Sequence, residues 1–215
     1  MPLHGRVSNP PLRKDLNVET NEIKLTGKST LRVIERGVIR YWMEKKSLLV
    51  PLEPRNSRDL RTGITPVLRG MTLPEAIREA VRRGLCVHEQ TVDNLVVTAG
   101  KQLLADLLVD VESAGIAYHE LGTGTTTPAL ADAALTTSVV RKVLTSKIRS
   151  GNQVQASVFY LASESTYAVK EAGVFGGALA TSTPGSGTML CHYLQTYDNS
   201  AGLYDLTFEY SLTIN

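Results

Sequence analysis

Eleven residues, YDLTFEYSLTI from Tyr204 to Ile214, alternate a large apolar side chain with a polar one. Successive side chains of a β-strand point to opposite faces, so this pattern predicts one long strand with a buried face and a wet or neighbour-facing one. A single strand cannot bury its apolar face alone. The segment therefore predicts a sheet whose other strands come from the preceding residues.

Shorter segments upstream have the same β character. The predicted strands lie at 95–97, 139–149, 153–162, 167–170 and 189–196. Ser150-Gly151-Asn152 predicts the turn of a hairpin, and the glycine-rich segment 173–177 predicts a second turn. Five or six short antiparallel strands at this spacing indicate a β-sandwich or partly open barrel.

Two helices are expected. Thr72 and Glu75 have the spacing of a capping box, Pro74 fits a first helical turn, and Gly84 marks the end of an amphipathic helix. This helix is expected to pack on protein rather than on a membrane surface. A second helix is predicted over 99–112, with Thr98 as its cap. It should close one end of the sheet, and its predicted inward-facing residues are Leu103, Leu104, Leu107, Leu108 and Val111.

The first ninety residues are less regular. Residues 1–28, with Pro10 and Pro11, predict an extended arm, and residues 29–90 predict a partly helical anchoring region. Within that region, Trp42 belongs to a segment, 30–46, with helical apolar spacing. Residues 91–215 are predicted to form the sandwich. The expected class is α+β, mainly β, with a partly helical N-terminal region.

The charges divide unequally between these regions. Residues 1–90 hold 17 Lys and Arg against 10 Asp and Glu, a net charge of +7, whereas residues 91–215 hold 6 against 11, a net charge of −5. The basic charges are interleaved with acids and lack an aromatic platform, so docking on an acidic protein neighbour is favoured over nucleic-acid binding. The first sixteen residues fit neither a secretory signal nor a membrane anchor, and no membrane insertion is expected.

The two cysteines do not suggest a disulfide framework. Cys86 and Cys191 are predicted to be reduced and partly buried. With His88 and His192 they could in principle hold zinc, but the spacing is not that of a familiar zinc site. We predict no metal and no cofactor.

The segment from Tyr118 to Lys142 contains a run of small residues that must form a loop. Its centre is Leu121-Gly122-Thr123-Gly124-Thr125-Thr126-Thr127-Pro128, in which both glycines can take positive φ and Pro128 ends any regular element. A phosphate cradle is disfavoured because the Gly-Lys-Ser/Thr ending is absent. A structural loop is the prediction.

Pairs of acidic and basic side chains also occur, as in any chain of this size. His119-Glu120 with Asp132, or Glu164 with Glu171, has the residue types of a cell-wall hydrolase. None lies in a recognisable cleft pattern, so structural carboxylates are favoured. Glu171 is expected to accept backbone N–H groups of the glycine-rich turn that follows it.

These features together resemble the tail and tail-fibre-associated structural proteins of bacteriophages. The resemblance spans roughly residues 94–215 and rests on the Leu121–Pro128 loop, on Arg141-Lys142, on the Gly151-Asn152 hairpin and on the strand Glu171-Ala172-Gly173-Val174-Phe175. It implies a non-enzymatic, oligomeric virion component of the tail, baseplate or fibre-attachment region, made in the host cytoplasm and without a small-molecule substrate.

The partners implied are copies of the chain and other virion proteins. An extended arm can gain order on a neighbour, and uncovered strand edges can be covered in a symmetric assembly. The residues expected at subunit contacts are Leu121, Gly122, Thr123, Gly124, Thr125, Pro128, Pro10, Pro11 and Trp42. Three alternatives stay open: a module that recognises host-surface glycan, a capsid or neck decoration protein, and an enzyme of the cell envelope.

Overall fold

The computed structural model describes residues 24–44 and 70–215, which form nine strands and three helices. In chain order these elements are β1 (Leu25–Glu35), α1 (Val38–Glu44), α2 (Leu73–Arg82), β2 (Cys86–Val96), α3 (Thr98–Leu108), β3 (Ile116–Gly122), β4 (Ser138–Val143), β5 (Ser146–Ser150), β6 (Gln153–Tyr160), β7 (Ala168–Gly176), β8 (Thr188–Asp198) and β9 (Tyr204–Ile214).

All strand pairs are antiparallel, and the strand order is β4-β3-β7-β8-β2-β1-β9-β6-β5. The sheet folds over into two layers. The first layer contains β5, β6, β9, β1 and β2, and the second contains β8, β7, β3 and β4. Strands β2 and β8 pair only at Leu95 and Val96. The predicted class, mainly β with a sandwich or partly open barrel, is confirmed.

On the side opposite to β2 and β8, a two-residue connection between strands joins the two layers. Strand β4 is one end of the sheet and β5 the other, yet only Leu144 and Thr145 separate them in sequence. The Leu144 N–H donates to the carbonyl of Ala117 in β3, and the Thr145 N–H donates to the carbonyl of Ser157 in β6. Each residue therefore ties this corner to a different layer.

The core lies between the layers and is built by period-two alternation. Strand β9 contributes Leu206, Phe208, Tyr210 and Leu212, all buried, as its pattern predicts. Buried residues that share this core with β9 include Leu31, Val33, Val158, Tyr160, Leu121, Ala172, Val174 and Tyr193. Removing these apolar surfaces from water is the main force that holds the layers together.

Helices α1 and α2 cover one end of the first layer's outer face. The buried residues of this cluster are Ile34, Ile39, Trp42, Leu73, Ala76, Ile77 and Ala80, with Phe159 of β6 packed against them. The Glu75 carboxylate accepts the N–H of Thr72 at 2.7 Å, and Gly84 follows the helix with φ of 72°. The predicted capped helix and its glycine stop are confirmed.

Helix α3 packs on the outer face of the second layer, but it is shorter than predicted. It ends at Leu108, and its N-cap is Val97 rather than Thr98. Asp110 has φ of 58°, and the N–H groups of Val111 and Glu112 both donate to the Asp106 carbonyl. This turn ends the helix and leaves Leu108 and Val111 exposed, so their predicted inward orientation is wrong.

The N-terminal boundaries also need correction. Strand β1 lies between β2 and β9 in the middle of the sheet, so the expected limits at residues 28 and 90 fall inside β1 and β2. The described part of the segment 30–46 is strand until Glu35 and helix only from Val38 to Glu44. Long-range pairing overrides the helical spacing, because Leu31 pairs with Phe208 across the whole chain. The residues before Lys24 in the expected arm, with Pro10 and Pro11, lie outside the described residues.

The glycine-rich turn expected at 173–177 is largely strand. Strand β7 continues to Gly176, with Gly173 paired to Glu120 on one side and to His192 on the other. The chain turns only at Gly177, where φ is 83°. Pairing on both sides of β7 explains the extended backbone despite its two glycines.

Candidate functional site

The predicted contact residues lie in the loop between β3 and β4, which rests on the outer face of the second layer. We call residues 123–137 the contact loop. Leu121, Gly122 and Gly124 are buried at its base, whereas the residues 125–127 at its tip are exposed. Thr123 and Pro128 are partly buried. The loop therefore separates into an anchored base and an accessible tip.

The base is anchored by a buried carboxylate from a distant strand. Glu171 of β7 is fully buried. Its Oε1 accepts the N–H of Gly124 at 3.1 Å and that of Thr137 at 2.7 Å, and its Oε2 accepts the N–H of Thr136 at 3.1 Å. Glu171 does accept backbone N–H groups, but they belong to the contact loop rather than to the turn after β7. One side chain thus fastens both ends of the loop.

Glycine is needed at both positions of the loop base because a side chain would not fit there, and not because the backbone requires positive φ. Neither Gly122 nor Gly124 has positive φ. A Cβ atom would lie 2.5 Å from the Glu171 Oε1 at Gly122 and 2.4 Å from it at Gly124. Only glycine lets the backbone approach the carboxylate this closely. The Gly-Thr-Gly spacing was the sequence signal for such an approach, although it does not identify the partner.

A histidine extends this anchor to the far side of the loop. His192 Nε2 lies 3.1 Å from Glu171 Oε2, and its Nδ1 lies 2.7 Å from Asp132 Oδ2. Asp132 also accepts the N–H of Ala129 at 2.8 Å. Burial opposes ionisation of Asp132, but the hydrogen bonds from Ala129 and His192 lower the pKa of this carboxyl below its usual value. The loop is held at three places along its length.

A second buried carboxylate holds the neighbouring loop, residues 177–187. Glu120 of β3 accepts a hydrogen bond from Arg141 Nη1 at 2.6 Å and from the Gly185 N–H at 3.0 Å. Arg141 in turn donates to the Ser186 carbonyl, and its guanidinium lies against the rings of Tyr118 and Phe175. Both side chains of this ion pair are fully buried. No motif in the sequence predicts this pair.

An exposed apolar surface adjoins these loops at the end of α3. Four large residues form this α3 patch: Leu108 (85% exposed), Val109 (66%), Val111 (76%) and Leu179 (82%). The Glu112 carboxylate accepts the N–H of Ala178 at 2.9 Å, which brings Leu179 beside the end of the helix. Clustered apolar exposure of this kind is typical of a surface that contacts another macromolecule.

The candidate acid and base residues are not brought together. His119 points into the core, where Nδ1 lies 2.9 Å from the Tyr160 hydroxyl and Nε2 lies 2.6 Å from the Tyr193 hydroxyl. Burial lowers the pKa of His119 to about 3, so its imidazole is neutral. Glu120 faces the opposite side of the same strand, and Asp132 binds His192. His119 therefore forms a buried polar cluster with Tyr160 and Tyr193 inside the core.

The four side chains considered for zinc are likewise separated. Cys191 lies on the core side of β8, where burial raises the pKa of its thiol to about 12, whereas His192 faces the contact loop. Cys86 donates to the carbonyl of His88 at 3.2 Å. In residues 24–44 and 70–215, no group of three or more His, Cys, Asp or Glu is placed to hold a metal ion.

Trp42 is buried between α1 and α2, with the Arg83 guanidinium 5.4 Å from its ring centroid. Little of this indole is accessible to another subunit.

Among the helices that the structure describes, none combines the length and apolarity needed to cross a bilayer. Comparison of the chain with family models, with curated proteins and with solved structures finds no match.

Proposed function

We propose that this chain is a non-enzymatic structural component of a bacteriophage virion, placed in the tail, baseplate or fibre-attachment region and present in several symmetric copies. One observation carries the proposal. The two segments that most resemble phage tail proteins, the Leu121–Pro128 loop and the Glu171–Phe175 strand, form one physical unit through the Glu171 carboxylate. Their co-occurrence in the sequence thus has a structural reason.

The geometry of this unit favours a role in subunit contact. A loop fixed at its base by Glu171 and at its side by Asp132 loses little conformational entropy when its exposed tip binds a neighbour. The α3 patch provides apolar area for a subunit interface. Among the residues that the structure describes, strands β4 and β5 each pair on one side only, and a neighbouring subunit can cover their other edges.

A capsid or neck decoration protein is the alternative within the same structural class. Its subunit contacts would use the same tip and the same patch. The two placements differ only in which virion proteins surround the chain.

The test measures incorporation into particles. Particles are grown from a phage genome that carries either the natural chain or a variant with Thr125, Thr126 and Thr127 each replaced by Asp, and copies per particle are counted by quantitative mass spectrometry. Thr166→Asp, at an exposed position outside the contact loop, is the control for introducing a surface carboxylate. We expect the triple variant to fold but to be depleted at least tenfold from particles. A natural chain absent from purified particles overturns the proposal.

A further inference from the structure

A cleft of about 270 Å³ lies on the outer face of the first layer, beside α2. Helices α1 and α2 cover this face near Phe159, but the strands continue beyond the helices. The cleft forms where the helices stop covering the strands, with the flank of α2 as its wall and the strands as its floor. Its volume is at the low end for ligand sites and suits one ring-sized polar molecule.

The lining of the cleft is mostly polar. The helix contributes Pro74 and Arg78, which are one turn apart and share a flank. Outward-facing positions of β1, β5, β6 and β9 contribute Thr30, Ser146, Ile148, Gln153, Gln155, Ser157, Glu209 and Ser211. Hydroxyls, amides and one carboxylate thus line the floor, and the apolar residues Pro74 and Ile148 lie on separate elements, whereas Ala156 and Tyr210 belong to the buried core beneath it.

Two groups in this lining have unused hydrogen-bonding capacity. Ser157 is 4% exposed, and its buried hydroxyl has no hydrogen-bond partner within the described residues. A buried hydroxyl without a partner costs free energy, so its presence on the cleft floor points to a ligand or solvent partner. The Arg78 guanidinium likewise makes no hydrogen bond or ion pair with the residues that the structure describes.

The other polar side chains are already oriented. Gln155 Nε2 donates to Gln153 Oε1 at 2.5 Å, and Gln153 Nε2 donates to Thr213 Oγ1 at 3.3 Å. This relay uses one N–H of each amide and leaves the Gln155 carbonyl oxygen as an acceptor. Glu209 is held by an ion pair with Arg32. A ligand therefore meets fixed acceptors rather than mobile side chains.

From this lining we propose that the cleft binds an acidic saccharide unit, a sugar ring that carries a carboxylate. Arg78 pairs with the carboxylate, since a guanidinium matches its two oxygens. Ser157, Gln155 and Ser211 exchange hydrogen bonds with ring hydroxyls, and Pro74 and Ile148 contact the C–H surface of the ring. A nucleotide fits less well because the only aromatic residue of the lining, Tyr210, is buried in the core.

This inference is independent of the proposed virion role and is tested on the full chain. Sodium glucuronate and methyl glucoside are titrated separately, with binding followed by saturation-transfer NMR. We expect glucuronate to bind in the millimolar range and at least fivefold more tightly than the neutral sugar. Equal affinity for both sugars, or no binding of either, overturns the proposal.

Two variants locate the binding. Arg78→Met keeps the helix and removes the guanidinium, so the affinity for glucuronate should fall about tenfold. Lys101→Met, on the exposed side of α3, is the charge-matched control and should bind glucuronate like the natural chain. If both variants weaken binding equally, the interaction is general charge attraction and the cleft assignment is wrong.

Ser157→Ala separates ligand binding from folding. Loss of an unpartnered buried hydroxyl should leave the melting temperature unchanged or raise it. The same change should weaken glucuronate binding about fivefold if the hydroxyl contacts the ligand. Unchanged affinity in a well-folded Ser157→Ala protein contradicts the assignment of Ser157 to the site.

Discussion

Glu171 Oε1 accepts the N–H of Thr137 at 2.7 Å and so joins β7 to the far end of a loop 34 positions earlier in the chain. The same oxygen accepts the N–H of Gly124 at the loop's near end. Both ends of the contact loop therefore depend on one buried side chain. A change at this side chain should therefore act on both ends of the loop at once.

Glu171→Gln is expected to loosen the contact loop. An amide keeps the size of the carboxylate but replaces one acceptor with a donor that faces N–H groups, so we expect a loss of about 2 to 4 kcal/mol in the free energy of unfolding. Hydrogen exchange at Gly124, Thr136 and Thr137 should accelerate first. Urea denaturation and amide exchange by NMR measure the two effects.

Glu89→Gln is the matched control for this prediction. Glu89 forms a partly exposed ion pair with Arg32, with 47% of its side chain exposed. Such pairs contribute little, so this variant should change stability by less than about 1 kcal/mol. Equal losses in the free energy of unfolding of the two variants would mean that Glu171 stabilises the protein no more than a partly exposed ion pair does.

Gly124→Ala tests the close approach directly. The added Cβ would lie 2.4 Å from the Glu171 Oε1 and 2.7 Å from the Thr136 Cβ, so we expect a loss of about 1 to 3 kcal/mol in the free energy of unfolding. At Gly115 a Cβ has no neighbour within 4 Å, and Gly115→Ala should be near neutral. Thermal unfolding of both variants distinguishes lack of space from a general cost of replacing glycine.

His119 is expected to make stability depend on pH. Burial lowers its pKa to about 3 from 6.5, so between these values protons bind the unfolded chain in preference to the folded one. His119 should therefore stabilise the fold less as pH falls, by about 1.4 kcal/mol per pH unit. Urea denaturation at pH 6 and pH 4 should show a smaller decrease for His119→Gln than for the natural chain.

Tyr193→Phe is the control for the histidine. It removes the hydroxyl 2.6 Å from the imidazole but leaves the imidazole buried. This variant should be less stable at both pH values yet keep the dependence on pH. If His119→Gln and the natural chain lose the same stability between pH 6 and pH 4, another group causes the effect.

The α3 patch is expected to act in association rather than in folding. Leu108→Gln with Leu179→Gln changes two side chains that are more than four-fifths exposed, so the melting temperature should stay nearly constant. Incorporation into particles should fall. Leu203→Gln, in the exposed turn before β9, is the control. If the double variant is incorporated as well as this control, the α3 patch does not take part in subunit contact.

Local patterns predicted the elements whose neighbours are close in sequence. The alternation in β9, the hairpin at Gly151-Asn152 and the capped helix α2 are each encoded within about a dozen residues, and each was recovered. Gly124 lies in a loop as predicted, but Gly122 is the last residue of strand β3, and neither glycine has the positive φ that the sequence offered as the reason. Positive φ is a local property, whereas proximity to Glu171 depends on the sheet.

What the sequence did not predict depends on long-range pairing. Strand β1 has helical apolar spacing, yet its burial comes from β9 at the other end of the chain. The Glu120–Arg141 ion pair likewise joins neighbouring strands, and no motif marks it.

The most direct test of the virion assignment is a cryo-electron microscopy map of the intact particle in which this chain is located. We predict several symmetry-related copies, with residues 125–127 and the α3 patch buried against neighbouring subunits. Particles that lack the chain, or that hold it with both surfaces facing solvent, would contradict the account.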